Sequence, residues 1–105
     1  MIECIATLYN ALVIRSFRHK GLRTFFETGS VAGIQASHAS RLARQLRHLN
    51  DARTPQDMNI PGWRLHLLKG RALAHHWSVW MNGNWRLTFA FEGEDAVLVD
   101  YQDYH

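Results

Sequence analysis

The chain closes on VLVDYQDYH, so a hydrophobic run ends in a carboxylate, a phenol and an imidazole: Asp103, Tyr104 and His105. An imidazole titrates near neutrality, at about 6.5 when unperturbed, and can take or give a proton at cellular pH. A neighbouring carboxylate can orient it, and a phenol can hydrogen-bond or stack. The competing reading is a polar tail that keeps a strand end soluble, since terminal residues tolerate change. His66, within WRLHLL, and Arg86, within NWRLTF, are the other residues suited to proton transfer and to holding an anion.

These side chains need elements to hold them. VIRSF, residues 13 to 17, is β-branched and alternating and predicts a short strand. In HKGLRTFFETGS, Leu22, Phe25 and Phe26 fall on one helical face, with Gly29 as the stop. A second helix is expected from near Ala36, with Ala39, Leu42, Leu46 and Leu49 as its apolar stripe and Arg41, Arg44, Arg47 and His48 projecting away from it. DARTPQDMNIPG, residues 51 to 62, reads as a surface connection.

From Trp63 the period changes to two. Trp63, Leu65 and Leu67 alternate with Arg64, His66 and Leu68, and Trp85, Leu87, Phe89 and Phe91 alternate with Arg86, Thr88 and Ala90. Asn82-Gly83 between HWSVWM and WRLTFAF predicts a type I′ hairpin, in which both central residues take positive φ. EGED is a second turn, leading to AVLVDYQDY as the last strand. The expected fold class is α+β, with two helices packed on one face of an antiparallel sheet. The other face is then open, and Arg86 and His66 could both project from it.

Composition bounds the function. The chain has 105 residues, 47% of them hydrophobic and 20% charged, which suits one folded domain rather than a disordered segment. A single cysteine, Cys4, excludes an internal disulfide and a CxxC zinc pair and favours a reducing, cytoplasmic compartment. His75 and His76 are adjacent and alternate sides in a strand, so no metal and no cofactor are expected. MIECIATLYNALVI carries Glu3 where a signal peptide has a basic residue and is too short to span a bilayer. Eight of the twelve basic residues lie between Arg15 and Arg53, and five of the nine acids between Glu92 and Asp103. A basic half is compatible with a polyanion partner and equally with solvated helix faces.

IRSFRHKGL with FFETGS, GIQASHASRL, MNIPGWRLHLLKG, WSVWMNGNWRLTFAFEGEDAVLVDY and the final YQDYH together resemble the HigB-type toxins of the RelE/ParE superfamily, or plasmid-maintenance killer proteins. The resemblance covers residues 13 to 105. It implies a RelE-like β-α-α-β-β-β(β) domain and ribosome-dependent cleavage of mRNA without a metal. It also implies a HigA-type helix-turn-helix antitoxin as partner, the ribosome and its mRNA as target, and operator DNA bound only by the toxin–antitoxin complex. The site residues it implies are His66, Lys69, Arg86, Asp103, Tyr104 and His105, with Lys20, Arg64 and Asn84 expected to touch RNA. Leu67 and Arg71 depart from the family's proline and acidic residue, so the rim of the site is expected to differ.

Residues 1 to 12, MIECIATLYNAL, have no counterpart in that resemblance. They are read as a translated leader before a natural beginning at Val13, or, on the apolar Ile2, Ile5, Leu8 and Leu12, as a helix packed on the domain. The alternative functions are a non-nuclease toxin of the same superfamily and a corepressor module acting with its antitoxin.

Overall fold

The structure, a computed structural model, describes residues 14–68 and 75–103; the remaining residues, both readings of 1 to 12 among them, lie outside that description. Helix α1 (Lys20–Thr28) is capped by the His19 ring, whose Nδ1 accepts from the Leu22 amide at 2.9 Å. It ends at Gly29, where φ of +84° is a left-handed stop that favours glycine. A 3₁₀ turn (Ala36–His38) runs into helix α2 (Ala39–Asp51), which buries Leu42, Gln45, Leu46 and Leu49.

The sheet has four antiparallel strands in sequence order: β1 (His66–Leu67), β2 (His76–Asn82), β3 (Trp85–Glu92) and β4 (Asp95–Asp103). Leu22, Leu42, Leu46 and Leu49 from the helices pack with Val79, Met81, Leu87, Phe89, Val99 and Tyr101 from the sheet into one buried cluster. Both helices therefore cover the same face, as expected.

Several local expectations change. Residues 14 to 17 lie parallel to β4 but pair with it through isolated bridges, Ile14 to Ala96 and Phe17 to Val99, rather than as a strand. The Arg15 amide donates to Ala96 O at 2.7 Å and the Val99 amide to Ser16 O at 3.1 Å. At the β2–β3 hairpin only Gly83 has positive φ, +56°, and Asn82 pairs with Trp85. The loop is therefore Gly83-Asn84 rather than Asn82-Gly83, and glycine at the first central position matches the II′ form. A bulge between Trp80 and Asn82 takes up the one-residue difference. The connection at 51 to 62 is not wholly surface, because Ala52 and Met58 are buried. Asp57 builds a 3₁₀ turn there by accepting from the Arg53 and Thr54 amides, and those backbone donors hold its carboxyl below the usual range. Leu67, paired by alternation with the inward residues, is exposed: only two residues pair at β1, and Leu67 flanks the end of that short ladder.

A second bulge explains AVLV, which is apolar on both faces. Between the pairs Thr88–Asp100 and Ala90–Val97 the last strand carries one extra residue, and Leu98 takes φ of +55° there. The extra residue re-phases the strand, so Ala96 and Val99 both face the core three positions apart.

Candidate active site on the open sheet face

Cross-strand pairs share a face, so the register assigns each side chain. His66 pairs with Ser78, Ser78 with Thr88 and Thr88 with Asp100, forming one row across all four strands. The next row is Trp80, Arg86 and Gln102. Both rows lie opposite the face that carries Val79, Leu87 and Tyr101. The register thus puts His66 and Arg86 on one face, as alternation in the sequence allowed. The face is not open throughout, however: Ser78 and Thr88 are buried, short side chains lying between larger members of their row.

Arg64, Leu65, His66, Leu68, Ser78 and Arg86 line a groove of about 540 Å³ at the β1 end of this face. Two guanidiniums and an imidazole therefore meet above an apolar and hydroxyl floor. Arg86 cannot lose its proton and presents a planar fork of donors, which fits the oxygens of a phosphate or carboxylate. Arg64, at the rim, has its backbone at φ of +53°. A non-glycine residue in that region carries strain that surrounding structure must hold.

Asp103 is elsewhere. It pairs with Trp85 at the exposed end of β4, on the side that Tyr101 shares, so its parity is opposite to that of Arg86. The carboxylate on Arg86's side is Asp100, which accepts from Gln102 Nε2 at 2.7 Å and from the Tyr101 amide at 2.8 Å. Sequence reading passed over Asp100 and Ser78 as site residues; Ser78 follows from alternation in β2, whereas the face of Asp100 depends on the register after the β4 bulge. Lys69, Tyr104 and His105 lie outside the described residues. Lys20 is exposed at the start of α1 and Asn84 in the β2–β3 turn; neither lines the groove.

Beneath the end of β4, on the helix side, is an aromatic cluster. Tyr101 stacks on Trp85 with ring centroids 4.4 Å apart, and the buried His38 sits edge-on to Trp85 at 5.3 Å. The Tyr101 hydroxyl and His38 Nδ1 are hydrogen-bonded. Burial, then the nearby Arg41 charge, lowers the His38 pKa, so its ring is neutral at pH 7 and Nδ1 can accept. Burial raises the Tyr101 pKa, with the Asp103 charge adding to it and a backbone hydrogen bond from Gln35 opposing it. The cluster joins the start of α2 to the strand that carries Asp103.

An α+β domain whose two helices cover one sheet face, and whose other face holds arginine and histidine in one groove, has the chemistry to hold an anion beside an imidazole. Comparison with known proteins sharpens this. Residues 15–105 match the family described as the RelE-like toxin of the type II toxin-antitoxin system HigB. The chain is also 38% identical over 93 residues to a Proteus vulgaris protein named Endoribonuclease HigB, covering 89% of this chain and 100% of that relative. The chain belongs to the HigB-like toxin family.

Proposed function

We propose that this toxin is a ribosome-dependent mRNA endonuclease, working in the cytoplasm and held in check by a helix-turn-helix antitoxin of HigA type. The observation that carries the reading is the convergence of His66, Arg86 and Arg64 in one groove, in a chain similar over most of its length to a relative named as an endoribonuclease. Operator DNA would be bound by the toxin–antitoxin complex. Residues 1 to 12 would be an extension to the toxin domain rather than part of its site.

Cleavage by the RNA's own 2′-OH needs three things: a base for the hydroxyl proton, cations for the charge that develops on the phosphate, and an acid for the departing 5′ oxygen. The 2′ oxygen bonds to phosphorus, the bond to the 5′ oxygen breaks, and that oxygen leaves with a proton. Arg86 would hold the phosphate oxygens, with Lys69 as a second cation. His105 would take part in proton transfer, with Asp103, on the face opposite Arg86, acting from the chain end to orient or polarise it; Tyr104 would stack on a base or bond the phosphate, and His66 would act as a second base or phosphate ligand.

Single-turnover cleavage of ribosome-bound mRNA tests these roles. Replacing His105 or His66 by alanine should lower the rate by about 10² to 10⁴ fold if each moves a proton. Arg86→Lys should also lose rate, because a point charge does not replace the fork. A His105→Ala variant with the wild-type rate would remove that residue from the reaction.

A further inference from the structure

The groove does not end at Arg64. Its guanidinium lies 5.0 Å from the centre of the Trp80 ring, and a second guanidinium, that of Arg41 from α2, lies 5.6 Å from the same ring. Trp80 shares the row of Arg86, so the indole joins the groove to the edge of the sheet.

Trp80 is fixed by three hydrogen bonds, two through its backbone and one through its ring. Its backbone amide donates to Trp63 O at 2.6 Å, its carbonyl accepts from Gln45 Nε2 at 3.0 Å, and its ring Nε1 donates to Gly83 O at 2.8 Å. Arg41 is fixed in turn by a bond from Nη1 to Met81 O at 2.6 Å. One such bond leaves most of the five guanidinium donors, and the Arg41 side chain is at an exposed residue. Two arginines ordered on one ring lose less freedom on meeting a ligand than two loose surface side chains would. The sequence left Arg41 as either a solvated or a polyanion-facing helix residue; the structure joins it, through Trp80, to a rim residue of the groove.

We propose that Arg41, Trp80 and Arg64 form a phosphate clamp for single-stranded RNA, carrying the strand from the catalytic groove around the β2 edge toward α2. The proposal rests on the nuclease reading of the groove and adds a direction to it. The ring supplies a rigid base for the cations, and each guanidinium takes a backbone phosphate, so the clamp contributes affinity without reading base identity.

The test is binding of the full chain to a labelled oligoribonucleotide of about ten nucleotides, within the length such sites span, by fluorescence anisotropy across a salt series. Arg41→Gln and Trp80→Phe should each weaken binding about five-fold or more. Arg41→Gln should also reduce the slope of log K against log salt by about 0.7, the share of one single-strand phosphate. Arg44→Gln, which removes an exposed charge one helical turn along, should have clearly less effect. Arg41→Lys should restore the slope and only part of the affinity. Equal losses from Arg41→Gln and Arg44→Gln, or none, would overturn the clamp, as would a wild-type chain that does not bind the oligomer. Cleavage on ribosomes, measured in parallel, separates the two readings: binding with the predicted pattern but no cleavage sinks the nuclease and keeps the clamp. Thermal melting of each variant shows that a loss of binding is not a loss of fold, and Arg41→Lys decides if Trp80→Phe melts early.

Discussion

At the scale of single residues, the His38–Tyr101 pair is the group whose protonation the fold controls. His38 is 5% exposed and its pKa is lowered. As pH falls below about 6.5 the unfolded chain takes up this proton before the folded one does. Stability from this site is therefore complete above that pH and is lost below it. Calorimetry from pH 8 to 5 should show Tm falling on the acid side, and His38→Gln should flatten that fall; an unchanged slope would mean other groups govern it. Tyr101 shifts the other way, so its contribution is lost above about pH 10, when the unfolded phenol ionises first. Tyr101→Phe keeps the stack on Trp85 and removes the hydroxyl bond, which should cost about 1 kcal/mol. A melt with urea measures this directly. None of it was legible in the sequence, because the two partners are 63 positions apart and neither belongs to a local pattern. His66 and Arg86 were legible, since strict alternation fixes the face once the strands are known.

Elements were read well where one periodicity dominated. Leu42, Leu46 and Leu49 follow a helical stripe and are all fully buried, and the Trp85 to Phe91 alternation gives the core face of β3. The outward arginine set of α2 was read less well. Arg41 binds the Met81 carbonyl and His48 Nε2 donates to Asp57 O at 2.9 Å, so both serve tertiary contacts that a helical wheel cannot show. For Arg41 the reason is the short β1 strand: beyond its two residues the Trp80 and Met81 carbonyls of β2 are met by α2 side chains, Gln45 and Arg41. Turn chemistry was read one position off at Gly83 because a β2 bulge shifts the register. A sharper element-scale prediction comes from Gly21 and Gly33. A Cβ on Gly33 would lie 2.6 Å from the Gly21 Cα, and a Cβ on Gly21 would lie 2.5 Å from Gly33 O. Backbone cannot yield as a side-chain end can, so Gly33→Ala should destabilise by about 1–3 kcal/mol, the usual cost of overpacking. Urea unfolding checks it, and an unchanged midpoint would show that the α1 start and the loop after it can part freely.

Over the whole molecule, the uneven charge seen in the sequence is partly neutralised within the fold. Arg15 pairs with Glu92 and lies 3.4 Å from Asp95, so the basic N-terminal segment meets the acidic β3–β4 turn. These groups are exposed, and such pairs add little to stability. Their effect is on the field: Glu92 and Asp95 are drawn toward Arg15, while Arg64 and Arg86 remain at the groove and Arg41 at the β2 edge. Among the described residues no helix is long and apolar enough to cross a membrane. The helix-covered face is spent on the core, which leaves the groove on the opposite face and the β2 edge as the proposed RNA surface.

The central claim, an RNA-cutting groove that works on the ribosome, is tested most directly by primer extension on a reporter mRNA in a purified translation system, with the full chain added in the presence and absence of ribosomes. The predicted result is a set of cuts within codons that appears only with ribosomes and disappears in Arg86→Ala. Cuts of equal strength on bare RNA would contradict ribosome dependence, and no cuts from a folded chain under either condition would contradict the nuclease itself.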